Sequence, residues 1–236
     1  MKRSQLVALT SLNAALYATL GYASYLGLFT PAIGVVRFWP SVFVPALFSV
    51  LFSELVGGLG AAVGIFVSDM LIHGNALLSL TVGVPANFLC FYTVGLLHKR
   101  LKDGRRWLAA ALLEEALVVA LVLAAHLAGA LDWPVALAYL IGMAVAAAFT
   151  LAYGGSRFPL ITFSCSTGLM LGSAVVGFGV YAFSQFFTLP TGASKLPLDA
   201  ALLWFLWTYA TEIPFMVALV PPLAKAAERV LPRVRG

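Results

Sequence analysis

The sequence predicts an all-α fold: a polytopic transmembrane helical bundle of six to eight spans with both termini cytoplasmic. Three observations carry that prediction. Hydrophobic side chains make up 62% of the 236 residues and charged ones 10%, against roughly 25% charged in an ordinary soluble domain. A mean hydropathy of +1.00 leaves more apolar surface than one core of this length can hide, so the remainder has to face lipid. Third, the apolar residues are gathered into runs of membrane-crossing length. A helix rises about 1.5 Å per residue, so about 20 such residues cross a hydrocarbon core of about 30 Å, and lipid tolerates no unpaired backbone in between. The whole chain, 1–236, reads as a single integral-membrane domain in a lipid bilayer.

That rule yields spans at about 5–29, 39–52, 55–72, 77–97, 107–131, 134–153, 160–188 and 200–223. Fourteen residues reach only about 21 Å, so 39–52 is expected to be a partial or deeply tilted span that turns at Ser53-Glu54 into the glycine-rich third. Lys2 and Arg3 before an apolar run also fit a signal peptide, but Asn13 and the small residues around it suit a packed helix better. Orientation follows from the cations, because Lys and Arg in short loops stay cytoplasmic. With the N-terminus inside, that side collects Lys2, Arg3, the basic run at 99–106, Arg157 and the cations after residue 224. Of the fourteen Lys and Arg, only Arg37 and Lys195 are left outside. An odd number of spans would put the basic run or the tail on the wrong face, which favours an even count. The net charge of +5 forms no surface stripe, so no nucleic-acid partner is expected. Cys90 and Cys165 lie in separate apolar runs, with no Cys-x-x-Cys pattern.

Lipid gives helices no hydrophobic reward for associating, so close packing of small residues takes that role. In the first span Ala14 and Ala18 stand four apart, and Ser11, Ala15, Thr19, Ala23 and Gly27 form a second stripe beside them. One stripe would serve the bundle while the other meets another protein, unless both are internal. In the third span Gly57, Gly58, Gly60, Ala61, Gly64 and Ser68 make a smooth surface for a neighbouring backbone. This is no nucleotide loop: Gly58-x-Gly60-x-x-Val63 lacks the last glycine, and no Lys-Ser or Lys-Thr follows.

The passage from Ala14-Ala15-Leu16-Tyr17-Ala18 through Val36-Arg37-Phe38-Trp39-Pro40, Val44-Pro45-Ala46-Leu47, the glycine-rich third span, Ser68-Asp69 and Val84-Pro85-Ala86-Asn87-Phe88 resembles the substrate-binding S component of energy-coupling factor (ECF) vitamin transporters. Glu212-Ile213-Pro214-Phe215 with Pro221-Pro222-Leu223-Ala224-Lys225 is similar to that family's last helix. The resemblance implies a small helical protein that captures a vitamin or related metabolite from outside. Delivery would take a transmembrane T component and two cytoplasmic ATPases, so ATP is hydrolysed by partner subunits and no cofactor belongs to this chain. It also implies that the alanine motif, Ala14 and Ala18, packs on the T component. Members usually have six spans, whereas 107–188 here holds one pair more, which leaves the counterpart of the fifth helix open.

Ionisable groups near a span's centre cost about 2.5–3.5 kcal/mol each on insertion scales, so those retained face a cavity or a partner. Asp69, followed by His73 and Asn75 near the outer end of the third span, is expected to line an outward-facing pocket, or else to pair with His73 at i,i+4 spacing. Glu212 lies mid-span in a helix that also carries Trp204, Trp207, Tyr209 and Thr211, a combination suited to a flat, hydrogen-bonding or cationic ring, unless the aromatic residues belong to the interfacial belt. Arg37, flanked by Phe38 and Trp39, would hold a ligand carboxylate or phosphate, or a salt bridge to Asp69. Asn87 and Gln185 need partners inside their spans, either a ligand or another helix. The candidate substrate-binding residues are therefore Arg37, Trp39, Asp69, His73, Asn75, Asn87 and Glu212. Glu114-Glu115, about two turns in from the cytoplasmic side, pairs with loop arginines or marks a proton-coupled secondary transporter. Asp69, His73 and His126 lack a third metal ligand on one helix, no His-Glu-x-x-His occurs, and there is no Gly-x-Ser-x-Gly elbow. Neither a metal site nor an enzyme is expected.

Overall fold

The computed structural model describes residues 1–28, 32–33, 36–155 and 158–230, with the side chains of 27–37, 228 and 230 outside the description. Among the described residues the regular structure is helical apart from a two-residue antiparallel ladder, β1 (Ala32–Ile33) with β2 (Val36–Arg37), in which Ala32 pairs with Arg37. The helices are α1 (Arg3–Ala23), α2 (Phe43–Leu51), α3 (Glu54–Ile72), α4 (Ala76–Leu78), α5 (Val84–Arg100), α6 (Arg106–Leu127), α7 (Trp133–Tyr153), α8 (Pro159–Phe186) and α9 (Asp199–Val230). A wider π turn, Ser24–Leu28, extends α1, and another, Ser79–Gly83, joins α4 to α5. Seven of the helices so formed are long and apolar enough to cross a membrane, while Pro40–Leu51 is apolar but short.

Local chemistry explains several of these boundaries. Ser53 caps α3, its hydroxyl accepting the Val56 N–H at 3.2 Å, and Glu54 sits at the positive end of the helix dipole. Pro85 has no N–H to give the Thr81 carbonyl one turn earlier, and the backbone before it loosens into the π turn. The helix α9 runs through Pro214, Pro221 and Pro222, and its neighbour α7 meets two of the carbonyls those rings leave without a helical donor. Tyr153 donates its hydroxyl to the Ala218 carbonyl, four residues before Pro222, at 3.3 Å. Gly142 lies so close to the Ala210 carbonyl, four residues before Pro214, that a Cβ there would fall 2.4 Å from the oxygen.

The glycine face of α3 seats three helices at once. Gly60 and Gly64 lie against Asn13, Ala14 and Tyr17 of α1, Gly57 against Ser49 of α2, and Gly58 against Phe88 and Tyr92 of α5. Hydrogen bonds fix the contacts: Asn13 Nδ2 donates to the Val56 carbonyl at 3.0 Å, and Ser49 Oγ to the Phe91 carbonyl at 2.7 Å. The same contacts set directions. Because Asn13 meets Gly60 and Tyr17 meets Gly64, α1 and α3 are parallel, and α2 returns between them from Trp39 on Gly21 to Phe48 beside Leu6 and Leu9. Gly168 against Val94 and Gly179 against Val82 make α8 antiparallel to α5, and Gly177 against Ala201 makes α9 antiparallel to α8. Direction alternates over eight passes, so the start of α1, the 99–106 turn and the end of α9 lie at one end of the bundle. The short α2 is largely sheathed by its neighbours, and therefore it completes a pass without matching a bilayer's thickness.

The eight expected segments all appear as helices, the second of them short, and burial decides which face of α1 is open to a partner. Ala14 and Ala18 are buried inside the chain, turned toward α3, so a partner approaching α1 from outside does not reach them. The exposed stripe is the other one, Ser11, Ala15, Thr19 and Ala23. The helices α6 and α7 make their main contacts with each other and with α8 and α9. They form a hairpin applied to the outside of a six-segment core made by α1, α2, α3, α5, α8 and α9.

Candidate functional site

That six-segment core surrounds a cavity whose empty space, its open side included, is about 790 Å³. It lies in the half of the bundle away from the basic ends and draws lining residues from α1, α3, α5, α8, α9 and the stretch that leads into α2, but none from α6 or α7. Five expected site residues meet on its wall: Trp39, Asp69, His73, Asn87 and Glu212. The structure adds Tyr17, Phe91 and Thr208. Thr208 stands one turn before Glu212 on the same face, and Tyr17 follows Asn13 by four on the alanine face of α1; both spacings are visible in the sequence.

The acidic groups at the wall are differently placed. Asp69 is 7% exposed; its Oδ2 accepts the Ser79 hydroxyl at 2.7 Å and its Oδ1 lies 3.4 Å from His73 Nε2. His73 Nδ1 accepts the Asn75 N–H at 3.0 Å, which leaves Nε2 to carry the proton that faces Asp69. Gly83 makes room for this pair, since a Cβ there would stand 2.8 Å from Asp69 Oδ2. Glu212 is 6% exposed and makes no hydrogen bond or ion pair among the described residues. A carboxylate buried in that way lacks the compensation that burial of charge demands.

Aromatic rings complete the chamber. Tyr17 stands edge-on to Trp39, with ring centres 6.2 Å apart, and to Phe91 at 5.9 Å. Asn87 frames the wall: its Oδ1 accepts the Tyr17 hydroxyl at 2.6 Å and its Nδ2 donates to the Gly83 carbonyl at 2.9 Å. Both ends of the amide thus join α1 to the π turn, the helix-to-helix use of such a residue.

The remaining candidates lie elsewhere. Asn75 caps α4, accepting the Leu78 N–H at 3.0 Å, and does not line the cavity. The Arg37 side chain falls outside the described residues. Gln185 donates to the Leu196 carbonyl at 3.0 Å and ties down the 187–198 loop. His126 faces the Leu131 carbonyl at 2.8 Å, and among the described residues no three His, Cys, Asp or Glu side chains are grouped to hold a metal ion.

A second polar cluster sits between α6, α7, α8 and α9. Ser166 and Thr167 donate to the Glu114 carboxylate, Ser166 also bonds the Tyr209 hydroxyl, and Thr150 donates to Glu115 Oε1 at 2.7 Å. Among the described residues hydroxyls, rather than the loop arginines, bond this acidic pair, and Glu115, 2% exposed, keeps Oε2 without a hydrogen bond.

Fold and chamber together define a multi-pass helical membrane protein with an internal, acid-bearing cavity. Compared with known protein families, with characterised proteins and with solved structures, the chain gives no match.

Proposed function

We propose that this protein is the membrane-embedded capture subunit of an ECF-type importer. In this reading it takes a vitamin or related small metabolite from outside into the chamber and passes it inward with a T component and two ATPases. The observation that carries the reading is the position of the chamber: six segments enclose it in the half of the bundle remote from the cations at 99–106. By the rule that cations in short loops stay inside, those cations face the cytoplasm, both ends of the chain lie there, and the chamber belongs to the outer half of the cell membrane. The six-segment core with an added hairpin also supports the resemblance, because it accounts for the surplus pair of spans. The surface offered to a T component is then the exposed small-residue stripe of α1, Ser11, Ala15, Thr19 and Ala23, where a partner helix can approach closely.

The test is reconstitution. The purified chain in liposomes should bind a member of a radiolabelled vitamin panel yet accumulate none of it until the T component and ATPases are added. Uptake by this chain alone under a pH gradient would overturn the reading. That outcome would favour the second one, a stand-alone proton-coupled carrier, whose supporting observation is the buried Glu114 and Glu115 cluster with its hydroxyl relay to Tyr209.

A further inference from the structure

We propose that the occupant of the chamber carries a positively charged nitrogen on or beside a flat ring, and that the Glu212 carboxylate is its counter-charge. The inference rests on the capture reading above and adds the chemical class of what is captured.

Three features of the wall converge on a cation. Glu212 lines the cavity, is 6% exposed, and has no hydrogen-bonding or ionic partner among the described residues. A carboxylate withdrawn from water needs a compensating charge or donor, and here the open direction is the cavity. The other carboxylate is engaged, since Asp69 already takes the Ser79 hydroxyl and faces His73. An amine entering the chamber therefore finds Glu212 as the acceptor whose protein contacts are unfilled. Third, the rings of Tyr17, Trp39 and Phe91 line the same space, and aromatic faces attract cations and stack on flat rings. Among the described lining residues an anionic guest would meet two carboxylates and one histidine that is already turned to Asp69, an arrangement that repels it.

The full-length chain in detergent, titrated with two matched trios of probes, tests this. One trio is tryptammonium, 3-propylindole and indole-3-propionate; the other is benzylammonium, ethylbenzene and phenylacetate. In each trio the ring is held nearly constant while the charge is positive, absent or negative. The expected result is that in at least one trio the cation binds at least tenfold more tightly than both companions. Glu212→Gln should lower that cation's affinity at least tenfold while changing the neutral probe less than threefold. If a neutral or anionic member equals or exceeds its cation, or if Glu212→Gln leaves the cation's affinity unchanged, the charge pairing is overturned while the capture reading stands. Binding by no member of either trio overturns both. The ranking on the unaltered chain needs no substitution, so it decides the matter even if Glu212→Gln proves unstable.

Discussion

Replacing Gly142 by alanine tests the seam between α7 and α9 where a proline has freed a carbonyl. The added Cβ would lie 2.4 Å from the Ala210 oxygen, and the obstacle is backbone rather than the end of a mobile side chain. A comfortable carbon–oxygen contact is about 3.3 Å, so the helices must part by about 1 Å. Overpacking of this kind costs about 1–3 kcal/mol. The Tyr153 hydrogen bond to Ala218, already 3.3 Å long, would break as well, which adds about 0.6 kcal/mol on the average for membrane helices. The expected loss is therefore about 1.5–3.5 kcal/mol. Cys90 and Cys165 are both free and buried, so a thiol-reactive dye added during a thermal ramp in detergent reports unfolding directly. The midpoint should fall by several degrees, whereas probe affinity should change less than twofold, because α7 lines no part of the chamber. A variant as stable as the parent would refute the idea that Gly142 is there to admit the Ala210 carbonyl.

Thr150→Val should destabilise the chain by about 1–3 kcal/mol in the same dye assay, since it strips the hydroxyl from a buried Glu115 that has no second hydrogen bond to fall back on; an unchanged midpoint would show that water or another group serves that carboxylate. For orientation, single cysteines placed at Asn75, Lys195 and Gly104 should separate under a membrane-impermeant maleimide on intact cells. The first two should react at once and the third only after permeabilisation, and the reverse pattern would invert the proposed topology.

The helical segments were legible because lipid imposes a length that hydropathy reports directly: 55–72 became Glu54–Ile72 and 134–153 became Trp133–Tyr153. The last helix, whose span is expected at 200–223, runs on from Asp199 to Val230. There Pro221 and Pro222 interrupt the helical ladder without ending the helix, because Tyr153 on another helix supplies a missing donor, and no local pattern reveals a donor 65 residues away. The alanine motif misled for a related reason. Four-residue spacing shows that a face is smooth, but both stripes of α1 are smooth, and only the docking onto Gly60 and Gly64 decides which one turns inward. Of the site, the buried carboxylates could be found from their depth alone. Asn75 could not be told from Asn87, because capping and lining differ only by where the chain turns, and the turn depends on the π segment before Pro85.

The hairpin of α6 and α7 divides the labour of the surface. Its outward leucines, such as Leu113, Leu117 and Leu127, are exposed to whatever surrounds the bundle, which in a bilayer is acyl chain. Changes there alter how the protein sits among annular lipids and replace no residue of the cavity wall. A chain built so can be retuned to a thicker, thinner or more fluid membrane by drift in one peripheral element that contributes nothing to the cavity wall.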